Sequence, residues 1–131
     1  MERFELAASD DTAILLQDST TSIVAPTDGK YIVQIRESSY TGNGACRYRL
    51  HIGPFPRPLA VYPAGGPAGG DLELKLIGDS AGESKLTVKL PESPDPKFEI
   101  YSNSDGLLSP SPNIVRVSTF PNVLEAEPNN N

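Results

Sequence analysis

Apolar side chains return at every second position along this chain, in short runs closed by glycine and proline. In "DLELKLI" (residues 71–77) Leu72, Leu74 and Leu76 alternate with Glu73 and Lys75. In "KLTVKL" (85–90) Leu86, Val88 and Leu90 alternate with Lys85, Thr87 and Lys89. "KYIVQIR" (30–36) sets Tyr31, Val33 and Ile35 against Lys30, Gln34 and Arg36, and "CRYRLHI" (46–52) sets Cys46, Tyr48, Leu50 and Ile52 against Arg47, Arg49 and His51. "KFEIY" (97–101) adds Phe98 and Ile100, and weaker runs are "RFELA", "AILLQ", "TSIVA", "LAVY" and "IVRVS". A period of two places alternate side chains on opposite faces of a pleated strand. No window of about three helical turns keeps a 3.6-residue period without glycine or proline, so no helix is predicted. The expected fold class is all-β, an antiparallel β-sandwich of immunoglobulin-like or jelly-roll-like type, with one face of each sheet in the core and the other in water.

The breaks between runs carry turn chemistry. "PTDGK" (26–30) combines proline with Asp-Gly, "SSYTGNGA" (38–45) reads as a hairpin loop, and "GDSAGES" and "PESPDP" stop the later strands. Thirteen prolines and eleven glycines in 131 residues supply these turns without reaching low complexity. Prolines at 54, 56 and 58 favour an extended, stiff backbone and place a junction near Gly53–Pro58. The organisation read from this is 1–53, 54–121 and a solvated tail at 122–131. "GGPAGG" (65–70) reads as a corner launching the 71–77 strand. With no Trp, the core is expected to be aliphatic.

Charge and motif content exclude several functions. A net charge of −6 disfavours nucleic acid and anionic membrane surfaces as partners. No run approaches the ~20 apolar residues of a membrane helix. The start "MERFELAASDD" lacks the apolar core of a secretory signal and reads as the middle of a domain. Gly65 and Gly70 have the spacing of a phosphate-binding loop, but Asp71 stands where lysine is needed, and a strand follows instead of a helix. One Cys and one His cannot build a zinc site, and His51 lies on an outward strand face with no nucleophile motif near it. Cys46 is expected to be a small buried hydrophobe. The Asp10–Asp11 pair reads as a solvated turn, with a calcium contact as the second reading. The expected answer is no enzyme. Tyr40, Tyr62 and Tyr101 are candidate exposed platforms, with Tyr40 and Tyr101 as ligand-binding candidates, because aromatic faces stack on apolar ligand faces. Arg47, Arg49 and Lys30 or Arg36 form a basic stripe if their strands pair.

Two stretches resemble known modules. "APTDGKYIVQIRESSYTGNGACRYRLHIG" resembles the C-terminal half of the bacterial pre-peptidase C-terminal domain, through Ala25-Pro26, Asp28-Gly29-Lys30-Tyr31, the alternating strand, the Gly42/Gly44 loop and Tyr48-Arg49-Leu50. The family domain is longer than the segment before Gly53, so this half reads as a partial copy. "RPLAVYPAGGPAGGDLELKLIGDSAG" is similar to the opening of an IPT/TIG-like immunoglobulin-type domain, through Pro63, the two glycine pairs, the leucine strand and Gly78. "EAEPNNN" resembles the entry of a further pre-peptidase-type domain. That likeness implies Glu125, Glu127, Asn129 and Asn130 as calcium ligand candidates, an incomplete oxygen set whose first reading is an acidic linker. No other cofactor is implied. The resemblance implies a non-catalytic structural spacer or interaction module of a large secreted, periplasmic or cell-surface bacterial protein. Its partners would be neighbouring domains of the same polypeptide. The alternative is a binding module for an extracellular protein matrix or polysaccharide, assisted by calcium. Open strand edges in a partial module also favour homodimerisation.

Overall fold

The computed structural model describes residues 4–12, 15 and 18–123. It is an all-β, sandwich-like fold with no helix among the described residues. Among the described residues eight strands are present: β1 Ala60–Tyr62, β2 Gly65–Pro67, β3 Asp71–Ile77, β4 Ser84–Lys89, β5 Asp95–Ile100, β6 Asn103–Ser104, β7 Leu107–Leu108 and β8 Asn113–Ser118. One sheet has the order β1-β3-β4, the other β2-β8-β5, and β6-β7 is a separate hairpin.

The leucine alternation builds the first sheet. β3 pairs antiparallel with β4 from Asp71↔Lys89 to Leu76↔Ser84, and with β1 on its other edge. Leu72, Leu74 and Leu76 turn inward and meet Val115 and Val117 of β8, with Ile100 and Leu90, in one core. Leu74 is fully excluded from solvent. Val61, Ala68, Leu86, Val88 and Phe98 pack around these residues. The core is aliphatic apart from Phe98, in keeping with a chain in which aromatic residues are few.

"GGPAGG" is a strand and a turn together. Gly65–Pro67 forms β2 and lies parallel to β8, in register Gly65↔Arg116 to Pro67↔Ser118, so the sandwich is not purely antiparallel. A Cβ at Gly65 would collide with the Arg116 carbonyl oxygen. The chain turns only afterwards, at Gly69, whose φ of 73° is in the left-handed region. The corner reading is therefore corrected for its first half: close backbone approach, more than turning, requires glycine there.

"NSDGLL" was not among the predicted strands. It folds as β6 and β7 around Asp105 (φ 52°) and Gly106 (φ 83°), the two positive-φ positions of a tight two-residue hairpin turn.

The predicted strands at 30–36 and 46–52 are not formed. Neither segment joins a ladder among the described residues, and Tyr31, Val33, Ile35, Tyr48, Leu50 and Ile52 are all exposed. "TSIVA" and the described part of "RFELA" also form no strand, while "AILLQ" lies largely outside the described residues. Pairing 30–36 with 46–52 would line Lys30, Arg36, Arg47, Arg49 and His51 along one face with no carboxylate among them. Like charges opposite one another destabilise a strand pair. The predicted basic stripe on a sheet face is thus absent as a sheet, although its cations are exposed. Cys46 is exposed and free, which overturns its predicted burial: the segment that was to bury it pairs with no strand among the described residues.

Candidate functional site

The loop after residues 30–36 is organised by one carboxylate. Glu37 Oε1 accepts from the Ser39 amide at 3.1 Å and the Ser39 hydroxyl at 2.8 Å. Glu37 Oε2 accepts from the Ser39 hydroxyl at 2.6 Å and from the Thr41 and Gly42 amides, both at 3.3 Å. The Tyr40 amide donates to the Glu37 carbonyl at 3.0 Å, closing a turn. These donors, the Ser39 hydroxyl first, hold the Glu37 carboxyl down from its ordinary value of 4.5 to about 2. Such a carboxylate is ionised at neutral pH with its lone pairs already engaged. It serves as a scaffold for the loop, and as a poor proton acceptor.

That scaffold holds Tyr40 in an unusual conformation. Its φ is 60°, in a region that aromatic residues rarely occupy. The residue is 73% exposed, with the Arg36 guanidinium 4.9 Å from the ring centroid. A cation at that distance is attracted by the ring quadrupole and holds the ring in place. Arg36, Glu37, Tyr40, Thr41 and Gly42 line an open concavity of about 250 Å³. Gly42 (φ 52°) carries the chain out of the turn, and Asn43 Oδ1 accepts from the Ala45 amide at 2.8 Å to begin the next segment. The arrangement offers one ring face and a guanidinium edge to a ligand.

Tyr101 stands elsewhere. It follows β5, is exposed, and its hydroxyl donates to Glu99 Oε2 at 3.0 Å, which raises its pKa. It takes no part in the concavity at Tyr40. Tyr62 is exposed at the end of β1. The calcium candidates Glu125, Glu127, Asn129 and Asn130 lie outside the described residues. Asp10 and Asp11 are exposed, and no group of three or more His, Cys, Asp or Glu side chains is placed to hold a metal ion among the described residues.

A buried polar cluster was not anticipated. Arg57 is only 4% exposed, and burial pushes its guanidinium pKa down. The Arg57 amide donates to Asp79 Oδ2 at 2.6 Å, and Asn113 Nδ2 donates to the Pro58 carbonyl at 3.2 Å. These bonds fasten the proline-rich segment to the β3–β4 turn and to the start of β8. Arginine is ordinarily exposed, so nothing in the local sequence signals this burial.

No helix among the described residues is long and apolar enough to cross a membrane. No protein-family model, curated protein or solved structure matches this chain.

Proposed function

We propose that this chain is a non-catalytic β-sandwich module, an interaction and spacer domain of a secreted or cell-envelope bacterial protein. One observation carries the reading: the chain combines a packed sandwich with two strand-patterned segments, 30–36 and 46–52, whose apolar alternates are exposed and whose backbones are unpaired among the described residues. Exposed apolar surface in this pattern is the property of a face that another element covers. The immunoglobulin-type and pre-peptidase-type resemblances support the reading of a module set between others in an extracytoplasmic protein. Hydrogen exchange of the dilute chain tests the reading. Amides of β3, β4, β5 and β8 are expected to be protected, and those of 30–36 and 46–52 to exchange freely. Protection of both segments in the dilute monomer would mean the face is already closed, and the interaction reading fails.

A second reading rests on the Tyr40 loop. The Arg36–Tyr40 pair on a rigid carboxylate-centred turn suits stacking of an extracellular polysaccharide or peptide. Binding to a glycan array or a matrix protein that disappears in Tyr40→Ala and persists in Tyr101→Ala would place the ligand there. Equal binding by both variants and the parent removes Tyr40 from the account.

A further inference from the structure

Cations are distributed unevenly over this molecule. In the sandwich each lysine of β3 and β4 has a carboxylate: Lys75 with Glu83 at 2.6 Å, Lys85 with Glu73 at 2.9 Å and Lys89 with Asp71 at 3.7 Å. Residues 30–52 hold four cations, Lys30, Arg36, Arg47 and Arg49, against a single carboxylate, Glu37, which is engaged by its own loop. None of the four forms an ion pair among the described residues. This strip is therefore basic within a chain of net charge −6.

The complement is in the same chain. Residues 4–11, "FELAASDD", are exposed throughout and join no strand. They carry Glu5, Asp10 and Asp11 with no lysine or arginine, and Phe4 and Leu6 alternate around Glu5, both exposed. An element that covers 30–36 or 46–52 must supply backbone hydrogen bonds, alternating apolar side chains and negative charge. Residues 4–11 supply all three. In the single chain both partners stay open.

We infer that two copies of this chain associate through residues 4–11 of one copy adding as a strand to the 30–36/46–52 strip of the other. The inference rests on the interaction reading above and names the partner. Strand addition satisfies main-chain groups along the added edge, and the alternating side chains set its register. The exchange is reciprocal, so a two-fold arrangement uses both strips and closes the assembly at a dimer. Glu5 and Asp11 then lie on the face of the arginines, while Phe4 and Leu6, on the opposite face with Asp10 at its end, cover part of the exposed apolar row.

Sedimentation velocity of the 131-residue chain across a wide concentration range is the test. A reversible dimer is expected, weakened about tenfold or more by molar salt, which shortens the screening length to about 3 Å. Arg47→Glu with Arg49→Glu is expected to be monomeric, as is Glu5→Lys with Asp10→Lys and Asp11→Lys. An equimolar mixture of the two variants is expected to associate, since the mixture restores opposite charges across both strips. All five positions are exposed, so the sandwich amides serve as the control for folding. A parent chain that stays monomeric at every concentration overturns the inference, as does a dimer indifferent to both charge reversals. If the dilute segments exchange freely and no dimer forms, the second copy is the wrong partner while the interaction reading stands. If the segments are protected in the dilute monomer, both fall.

Discussion

Residues 71–90 and residues 30–52 carry the same kind of alternation and meet opposite fates. In the first, the Gly78–Glu83 connection turns the chain back: Gly78 and Gly82 take φ of 92° and 104°, and Asp79 Oδ1 accepts from the Ala81 amide at 2.9 Å. The two strands then meet with carboxylates available to every lysine: Asp71 lies opposite Lys89, Glu73 reaches Lys85 diagonally, and Lys75, directly opposite Lys85, pairs with Glu83. Their inner face meets a second sheet. In the other region the connecting loop is just as well built, around Glu37, yet the flanking segments carry cations on the faces that pairing would align. They have no opposing sheet among the described residues. Alternation specifies which side chains share a face. It does not supply the neighbour that makes the face a buried one.

Truncating the same residue type in the two regions gives the sharpest contrast. Leu74 is fully buried at the centre of the core. Leu74→Ala should lower unfolding free energy by about 2–5 kcal/mol in chemical denaturation, a large part of the stability of an ordinary domain. Leu50→Ala in the dilute monomer should change it by no more than about 0.5 kcal/mol, because Leu50 is already in water. A large loss at Leu50 would break the comparison by showing that its segment is buried.

A middle-sized effect is expected at Gly65. Gly65→Val drives a branched side chain into the Arg116 carbonyl and should cost about 1–3 kcal/mol, with loss of amide protection along β2 and its edge of β8. A neutral substitution there would return "GGPAGG" to the status of a plain corner. Asn113→Ala is smaller, about 0.5–1.5 kcal/mol, since it removes one hydrogen bond from the buried Pro58 carbonyl and leaves it the longer one from Arg57 Nη1 at 3.4 Å. If denaturation and exchange leave the proline segment equally ordered, that segment is not fastened through Asn113.

The smallest effect concerns acid. Glu37 has a folded pKa below its ordinary value, so whatever it contributes is fully present above about pH 4.5 and is lost as pH falls toward 2. NMR titration should show the Ser39, Thr41 and Gly42 amides unmoved at pH 4.5 and shifting together near pH 2, with no such transition in Glu37→Gln. A transition at the ordinary glutamate pKa would mean the loop is not held by that carboxylate.

The sandwich was largely legible because its strands are locally explicit. Leu72, Leu74 and Leu76 alternate without interruption, Asp79 and Gly82 announce the turn, and "IVRVS" and "LAVY" sit where β8 and β1 form. The β6–β7 hairpin was missed despite its Asp105-Gly106 pair, because its strands are too short to show a period. The parallel β2–β8 pairing could not be read, since a three-residue strand has no pattern and its partner lies some fifty residues away. At the candidate site, Tyr40 was legible as an exposed aromatic in a glycine-containing loop. The role of Glu37 was not, because a carboxylate bonded to its own following amides has the sequence signature of any polar loop. Arg57 was least legible of all: burial of an arginine depends on elements that converge from Asp79, Asn113 and the proline segment.

The sequence by itself determined the all-β class, the inward faces of β3 and β4, and the absence of a lysine where a phosphate loop would need one. Those follow from side-chain alternation and local chemistry, which are properties of a few neighbouring residues. Only the tertiary structure decided which alternating segments become strands, that Gly65 is a packing glycine, and that Cys46 and the basic strip are left in solvent. A strand exists through hydrogen bonds to another strand, and a buried face through a surface opposite it, so both depend on residues far away in the chain.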